Sequence, residues 1–414
     1  MKRKILVIGS GGREHAIAHA FSQSPSVDKV YVAPGNPGML NCATVVDIKM
    51  NDFDLLSKFV LENQIDCVFV GPETPLSLGI VDFMQEKGIC IFGPSQKAAQ
   101  LESSKSFAKD MMNKYNIPTA SHKTVYTYHE ALEYLSSHKA PIVIKADGLM
   151  AGKGVTVALN DIDAMEAIDK IYSDPTIHCA TVIEEYLEGE EFSLMAFVKG
   201  ERVIPLPIAK DHKRAYDNEK GPNTGGMGAY SPVDSISIEV INEAMEKVMR
   251  PIAKAMVLEN IPFTGILYGG FMSTQSGVKT IEFNVRLGDP ETEVILPRIK
   301  TPLDQILFSV LNDEPVNIEV DPRVALTVVL ATNGYPGLLT NPEPIHNLEM
   351  VNSTIYHMGT SLLDNQFINT GGRVLCVTHL ADTLEKAREE VYQEIRKIEA
   401  KQCFYRKDIG LNYK

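Results

Sequence analysis

The chain has 414 residues, 44% hydrophobic and 22% charged, with a formal net charge of −13. That length suggests about two to four domains with sizeable cores, and the acidic balance argues against a general nucleic-acid or membrane-surface binder while leaving room for local basic pockets that hold phosphates. The cysteines Cys42, Cys67, Cys90, Cys179, Cys376 and Cys403 form no C-x-x-C pair and read as buried reduced thiols; no apolar run reaches membrane-spanning length, so a cytoplasmic chain is expected.

The basic start Met1-Lys2-Arg3-Lys4 leads into an apolar run that stops at Gly9, too short for a signal-peptide core and better read as a first β-strand. Residues 1–100 then repeat a strand–loop–helix unit. Strands at Ile5–Ile8, Val30–Val32, Cys67–Val70 and Ile89–Phe92 each run into a Gly- or Pro-bearing loop, with helical patterns at 52–63 and 77–87. This predicts a doubly wound parallel sheet whose ligands bind at the carboxyl edge of the strands. Gly9-x-Gly11-Gly12 is a weak dinucleotide signal, because Glu14 stands where the third glycine belongs and no acidic residue follows the second strand. A phosphate cradled by backbone N–H groups at the helix start, clamped by Arg13, fits better. His15 reads as a helix-surface or core histidine.

A helix is expected over 101–115, with Lys105 and Lys109 on one face, ending at Ile117-Pro118. Strand Ile142–Lys145 enters the loop Ala146-Asp147-Gly148-Leu149-Met150-Ala151-Gly152-Lys153-Gly154, which is not a Walker A loop and reads as a mobile flap over polyphosphate. Strand Thr181–Glu185 follows. The run Asn223-Thr224-Gly225-Gly226-Met227-Gly228 favours close backbone approach to a ligand. A helix near 237–259 and a strand over 265–271 lead to Ile281-Glu282-Phe283-Asn284-Val285-Arg286, where alternation predicts a strand with Glu282, Asn284 and Arg286 on its polar face. Carboxylate and amide oxygens there suit Mg²⁺, and the neighbouring guanidinium suits a phosphoryl group in transit. The strand breaks at Gly288 and Pro290, leaving Asp289 and Glu291 on a loop. From Ala325 onward, strands and a final helix from about 383 to 400, capped by Asp382, suggest a mixed α+β unit.

Together these motifs resemble the ATP-grasp superfamily and, within it, the phosphoribosylamine–glycine ligase (glycinamide ribonucleotide synthetase) family. The resemblance covers nearly the whole chain and rests on Arg286-Leu287-Gly288-Asp289-Pro290-Glu291, Gly9-Ser10-Gly11-Gly12-Arg13-Glu14-His15, Pro34-Gly35-Asn36-Pro37-Gly38, Lys145-Ala146-Asp147-Gly148 with Gly152-Lys153-Gly154, and Asn223–Gly228. It implies an N-terminal α/β domain (1–102), a two-lobed ATP-grasp region (103–324) with a mobile lid at about 119–192, and a C-terminal α+β domain (325–414). The implied reaction ligates glycine to 5-phosphoribosylamine with ATP through glycyl phosphate. Lys105, Lys145 and Lys153 would neutralise ATP phosphates, Glu184, Glu185 and Leu187 would hold the adenine edge, and Glu191 the ribose. Glu282 and Asn284 would hold Mg²⁺ or Mn²⁺. Arg286, Asp289 and Lys213 form the implied catalytic set, with Asp289 orienting the glycine ammonium or Arg286.

Since ATP has its own groups, Gly9, Gly11, Gly12, Arg13, Glu14, Asn36, Pro37, Gly38 and Glu73 are assigned to phosphoribosylamine. Asp211, Asn223, Gly225, Gly226 and Met227 complete the substrate set. Many superfamily relatives place a further metal-binding acid on the preceding strand; here it reads Ile266-Leu267-Tyr268-Gly269-Gly270-Phe271, without one. A nicotinamide oxidoreductase would leave the flap and the Glu282/Asn284 pair unexplained, and an ATP-grasp carboxylase would use bicarbonate instead of glycine. The small molecules are the only partners implied, with a monomer or homodimer and no nucleic acid or membrane.

Overall fold

The computed structural model describes residues 2–149, 154–174, 180–337 and 341–411. Its first strands are β1 (Arg3–Gly9), β2 (Val27–Pro34), β3 (Thr44–Val45), β4 (Cys67–Val70) and β5 (Ile91–Phe92). They pair in parallel in the order β3-β2-β1-β4-β5. β1 is apolar on both faces because both are covered. Leu6 and Ile8 share a core with Val60 and Met84 of helices Phe53–Asn63 and Ile80–Glu86, while Ile5 and Val7 pack with Ile17 and Phe21 of helix Gly12–Ser22. The chain order reverses between β1 and β4, and the loops after these two strands meet there: a Cβ at Gly9 or at Gly71 would run into the Glu14 side chain.

The expected helix 101–115 is two helices, Gln100–Ser103 and Lys105–Lys114, split at Ser104. Ser104 has extended backbone, and its hydroxyl accepts from Phe107 N at 3.2 Å to cap the second helix. Next come β6 (His122–Val125), β7 (Ile142–Ala146), β8 (Val155–Ala158) and β9 (Thr181–Glu185), an antiparallel sheet in the order β6-β9-β7-β8. With helices Tyr128–Ser137 and Asp161–Ser173 it encloses its own core, which includes Leu135, Ile144, Ile168 and Ile183.

β10 (Glu190–Lys199), β11 (Arg202–Pro205), β12 (Lys210–Asp211), the hairpin β13 (Arg214–Tyr216) and β14 (Lys220–Asn223), β15 (Gly228–Ser231), β16 (Thr264–Thr274) and β17 (Gly277–Asn284) follow. A four-stranded antiparallel sheet runs β11-β10-β16-β17. β17 differs from the simple alternation expected of it. A register shift between Gly270 and Phe271 pairs Gly270 with Glu282 and Phe271 with Thr280, leaving Ile281 as the extra residue. Ile281 is therefore half-buried at the cleft instead of in the core. The strand also stops at Asn284, short of Arg286, because Val285 N donates to the Glu102 carboxylate at 2.8 Å and leaves the ladder.

The C-terminal strands are β18 (Val324–Thr332), β19 (Thr354–His357), the hairpin β20 (Thr360–Leu363) and β21 (Gln366–Asn369), β22 (Arg373–Ala381) and β23 (Cys403–Phe404). Their main sheet runs β12-β15-β18-β22-β19, with β23 on β18. The final helix is Leu384–Ile395, and its cap is Thr383 instead of Asp382: the Thr383 hydroxyl accepts from Lys386 N at 3.2 Å. Ala387, Val391 and Ile395 form its buried stripe.

The C-terminal sheet also docks on the N-terminal domain. His357 N donates to His15 Nδ1 at 2.9 Å, and the two residues are 7% and 2% exposed. Burial lowers His15 to about 3, helped by His357 and His19, and lowers His357 to about 4. Below the ordinary histidine value the unfolded chain takes protons that the folded chain refuses, so each ring makes stability fall as pH drops from about 6.5 toward its folded value, by about 1.4 kcal/mol per pH unit. His15→Asn keeps an acceptor for His357 N but removes one titration. Urea midpoints measured from pH 6 to pH 4 should fall less steeply for this variant than for the parent; parallel pH dependence would mean His15 is not held neutral.

Candidate active site

The bulge and the early end of β17 determine what its polar face can do. The freed Ile281 carbonyl accepts from Lys145 Nζ at 3.0 Å. Lys145 also pairs with Glu184 at 2.9 Å, and Lys109 reaches the other oxygen of Glu184 at 3.1 Å. All three are at most 4% exposed. Burial pulls Lys109 down to about 8 in spite of Glu184. Glu184 is thus bracketed by two ammonium groups at the cleft wall. Glu185 binds Ser121 N at 2.9 Å through its side chain, leaving its backbone and that of Leu187 at the cleft wall. Lys105 reaches Gly148 O at 2.8 Å, and Asp147 ties the flap to the backbone N–H groups of Lys105 and Ser106. Lys153 and Gly152 lie outside the described residues.

Beyond β17, Arg286 sits between two carboxylates of the N-terminal domain, Glu102 at 2.8 Å and Glu73 at 3.2 Å. Burial works against the Glu73 anion, but Arg286 and Arg13 hold its carboxyl down at about 2. Burial pushes Glu102 up to about 6 against the pull of Arg286. Arg286 itself is raised above its ordinary value because its two acidic partners outweigh burial. Asn284 Oδ1 is 3.4 Å from the same guanidinium.

Lys213 lies 3.2 Å from Glu191 and 3.7 Å from Asp211. Burial raises Asp211 to about 7 despite Lys213, with Glu291, Glu191 and Glu282 adding like charge. Burial would also raise Glu282, but Lys213, Lys145, Lys105 and Arg286 hold it below the ordinary carboxylate range. Carboxylates crowd one ammonium here, a setting that favours added cations. Among the described residues no three His, Cys, Asp or Glu side chains form a complete metal cage. The carboxylate of Glu282 and the amide oxygen of Asn284 are hard donors of the kind that suit an ion whose shell is completed by phosphate oxygens and water.

These groups face one cleft of about 1460 Å³. Arg13, Glu73, Glu191, Asp211, Lys213, Asn223, Gly225 and Asp289 line it too. Several nominated residues do not. Met227 is fully buried, and Gly226, at φ +108, packs against Pro290. Asp289 does line the cleft but pairs with Arg373 at 2.8 Å instead of with Arg286. Asn36 spends its amide on Ser10 O (2.8 Å) and His357 O (3.1 Å), and its oxygen on Gly38 N (2.9 Å). A Cβ at Gly38 would strike the His357 ring, and Pro37 belongs to the same capped turn. Gly11 N is already taken by Glu14 at 2.7 Å. A Cβ at Gly12 would meet Glu293 and Met358. The Gly9–Gly12 glycines thus make room for packing and for the Glu14 carboxylate, which Arg13 pairs with.

Three family models match in succession: the phosphoribosylglycinamide synthetase N domain over residues 3–102, its ATP-grasp (A) domain over 103–292 and its C domain over 325–412. The chain belongs to the phosphoribosylglycinamide synthetase family. It is 51% identical to a phosphoribosylamine–glycine ligase of Halalkalibacterium halodurans across 98% of this chain and 96% of that one. It is 48% identical to that of Lactococcus lactis across 98% and 99%. The crystal structure of the Thermotoga maritima ligase superposes with a TM-score of 0.85 at 32% identity, covering 98% of this chain and 100% of that one. A biotin carboxylase domain from Hydrogenobacter thermophilus shares the fold, with a TM-score of 0.72 at 15% identity, covering 98% of this chain and 92% of that one.

Among the cleft residues that the sequence reading gave no role are Glu102, Lys109, Tyr335 and Arg373. Lys109 was visible as the facial neighbour of Lys105. Arg373 follows a glycine pair, and Gly372 leaves space for the Tyr335 ring; Tyr335 OH in turn accepts from Gly225 N at 3.0 Å. Glu102 sits in no recognisable pattern.

The two nominated lysines should separate in stability. Lys145→Met leaves Glu184 buried with one partner and should cost roughly 3 kcal/mol, the scale of breaking a buried pair. Lys105→Met should cost less than about 1 kcal/mol. Both should weaken ATP binding. Urea unfolding and ATP calorimetry on the two variants test this, and equal stability losses would contradict it.

Proposed function

We propose that this cleft ligates glycine to 5-phosphoribosylamine at the expense of ATP, giving glycinamide ribonucleotide, ADP and phosphate in an early step of de novo purine synthesis. The observation that carries the reading is the clamped Arg286 beside Glu282 and Asn284, facing Lys105, Lys145 and Lys213 across one cleft. A carboxylate is a poor electrophile at neutral pH and must be phosphorylated before an amine can attack it. The glycine carboxylate oxygen attacks the γ-phosphorus, the bond to ADP breaks, and glycyl phosphate forms. The ribosyl amine then attacks the acyl carbon and phosphate leaves.

Lys105 and Lys145 offset the charge of the ATP phosphates, with Lys153 as the flap's contribution. The backbone of Glu185 and Leu187 takes the adenine edge and Glu191 the ribose hydroxyls. Glu184 holds Lys145 in place. Arg286 stabilises charge on the phosphoryl group in transit, and its fixed orientation means little reorganisation at that moment. Glu282 and Asn284 would hold Mg²⁺ or Mn²⁺, which when bound offsets phosphate charge as a Lewis acid. The carboxylate surplus around Lys213, with Asp211 as its most perturbed member, suits the glycine ammonium. Arg13 and Glu73 face phosphoribosylamine from the N-terminal domain, with Asn223 and Gly225 opposite. Because the β6–β9 unit has its own core, it can close as a body and exclude water from the acyl phosphate. We read the chain as a cytoplasmic monomer or homodimer acting on small molecules; no helix among the described residues is long and apolar enough to cross a membrane.

ADP release assayed with glycine and phosphoribosylamine omitted in turn tests the reaction. Amide formation should need both substrates, and bicarbonate replacing glycine would sink the proposal. Glycine carrying ¹⁸O in its carboxylate should pass one label to the released phosphate; unlabelled phosphate alongside amide product would exclude glycyl phosphate. Glu282→Gln should keep the fold, since the side chain faces the cleft, and should lower turnover at least ~100-fold. Near-normal activity in a folded variant would remove Glu282 from the metal site.

A further inference from the structure

β4 and β5 are neighbours, and β5 is the outermost strand of the parallel sheet. Their register sets Val68 beside Ile91 and Phe69 beside Phe92. One step earlier Cys67 therefore stands beside Cys90, and Val68 N donates to Cys90 O at 2.9 Å. The two sulfurs are 3.2 Å apart. Cys67 is fully buried, whereas Cys90 is exposed, contrary to the expectation that every thiol is buried. Cys42 and Cys403 are half-buried, and Cys179 lies outside the described residues.

We propose that Cys90 and Cys67 form a peroxide-oxidisable dithiol, with Cys90 as the attacking thiol and Cys67 as the resolving one, closing to a cross-strand disulfide. Adjacent strands lie ~4.8 Å apart, inside the Cα separation of roughly 4.4–6.8 Å that a disulfide spans, so closure needs little backbone movement. The shared hydrogen bond favours the thiolate at Cys90, holding it below the ordinary thiol range against burial and Asp66, while Cys67 is held well above that range by the same bond and by burial. The thiolate of the exposed residue is the nucleophile.

In the first step the Cys90 thiolate attacks one oxygen of hydrogen peroxide. A sulfur–oxygen bond forms, the oxygen–oxygen bond breaks, and hydroxide leaves to be protonated to water. The sulfur is oxidised by two electrons to a sulfenic acid and the peroxide is reduced. In the second step the Cys67 sulfur attacks the Cys90 sulfur, the sulfur–oxygen bond breaks, and hydroxide departs with the Cys67 proton as water. Two thiols and one peroxide become one disulfide and two waters. Cys67 thereby diverts Cys90 from the irreversible branch that leads to sulfinic acid. The pair lies at the amino ends of its strands, away from the carboxyl edge that delivers Glu73.

The test uses the full-length reduced protein exposed to dilute hydrogen peroxide, then alkylated and digested without reductant. The expected result is a Cys67–Cys90 linked peptide that dithiothreitol removes. In Cys67→Ser and Cys67→Ala, two substitutions that guard against a folding defect in either, Cys90 should be trapped by a sulfenic-acid-specific diketone and progress to sulfinate. In Cys90→Ser, Cys67 should stay reduced under the same exposure. Sulfinate at Cys90 of the parent without linkage, a disulfide joining two chains, or equal oxidation of Cys67 in Cys90→Ser would each overturn the proposal.

Discussion

A guanidinium removed from water costs several kcal/mol unless its charge is matched, and the organisation of this chain follows from how Arg286 is matched. Its partners, Glu73 and Glu102, come from another domain. The first ends the segment after β4, and the second sits on the short helix beyond β5. Arg13 lies 3.9 Å from Glu73 and pairs with Glu14. Arg13 and Arg286 also both donate to Leu287 O, each at 3.2 Å. Charges alternate along the row Glu14, Arg13, Glu73, Arg286, Glu102, so each ion has an opposite neighbour. Removing Arg13 or Arg286 leaves the carboxylate at that end of the row, Glu14 or Glu102, without its cation. The row therefore serves as a joint between the parallel sheet and β17 as well as a wall of the cleft.

Lys145 is fixed by a backbone irregularity. A regular β16–β17 ladder would have spent the Ile281 carbonyl on a strand neighbour. The bulge releases it to the lysine, and Glu184 supplies the opposite charge. The β6–β9 unit is also tied to the rest of the chain by Thr119, whose hydroxyl donates to Thr280 O at 2.8 Å. The same short segment of β17 thus carries the metal-suited oxygens, anchors a lysine and borders the entry to the β6–β9 unit.

The strand–loop–helix rhythm of residues 1–100 was legible because β1 is covered on both faces and β1, β2, β4 and β5 each run into glycine or proline; the two-residue β3, which runs into Val46-Asp47, carries no such mark. The polar residues of β17 and of its continuation to Arg286 were legible because carboxylate, amide and guanidinium alternate. What the sequence concealed are contacts made across domains. Asp289 reads as part of the Arg286 loop, yet Arg373, 84 residues away, takes it. Asn36 and Gly38 look like ligand groups because glycine and asparagine serve both loops and ligands. Here they serve the joint with His357. Met227 lies between glycines in a ligand-like run, but its side chain turns inward. Glu102 carries no pattern, since its function comes only from where β5 points the next helix.

The sheet β12-β15-β18-β22-β19 draws its first two strands from the middle of the chain and the others from the C-terminal part. β15 is buried along its whole length and pairs with Ala325–Val328. During synthesis, when β15 has left the ribosome, nearly a hundred further residues must follow before β18 can cover that edge. For that interval β15 has only β12 on one edge, and its other edge is open to the wrong partner on a neighbouring chain. The architecture that closes the cleft from both ends thereby makes vectorial synthesis its most exposed moment, and a ribosome that stalls before Val324 releases a product with no means of hiding that strand.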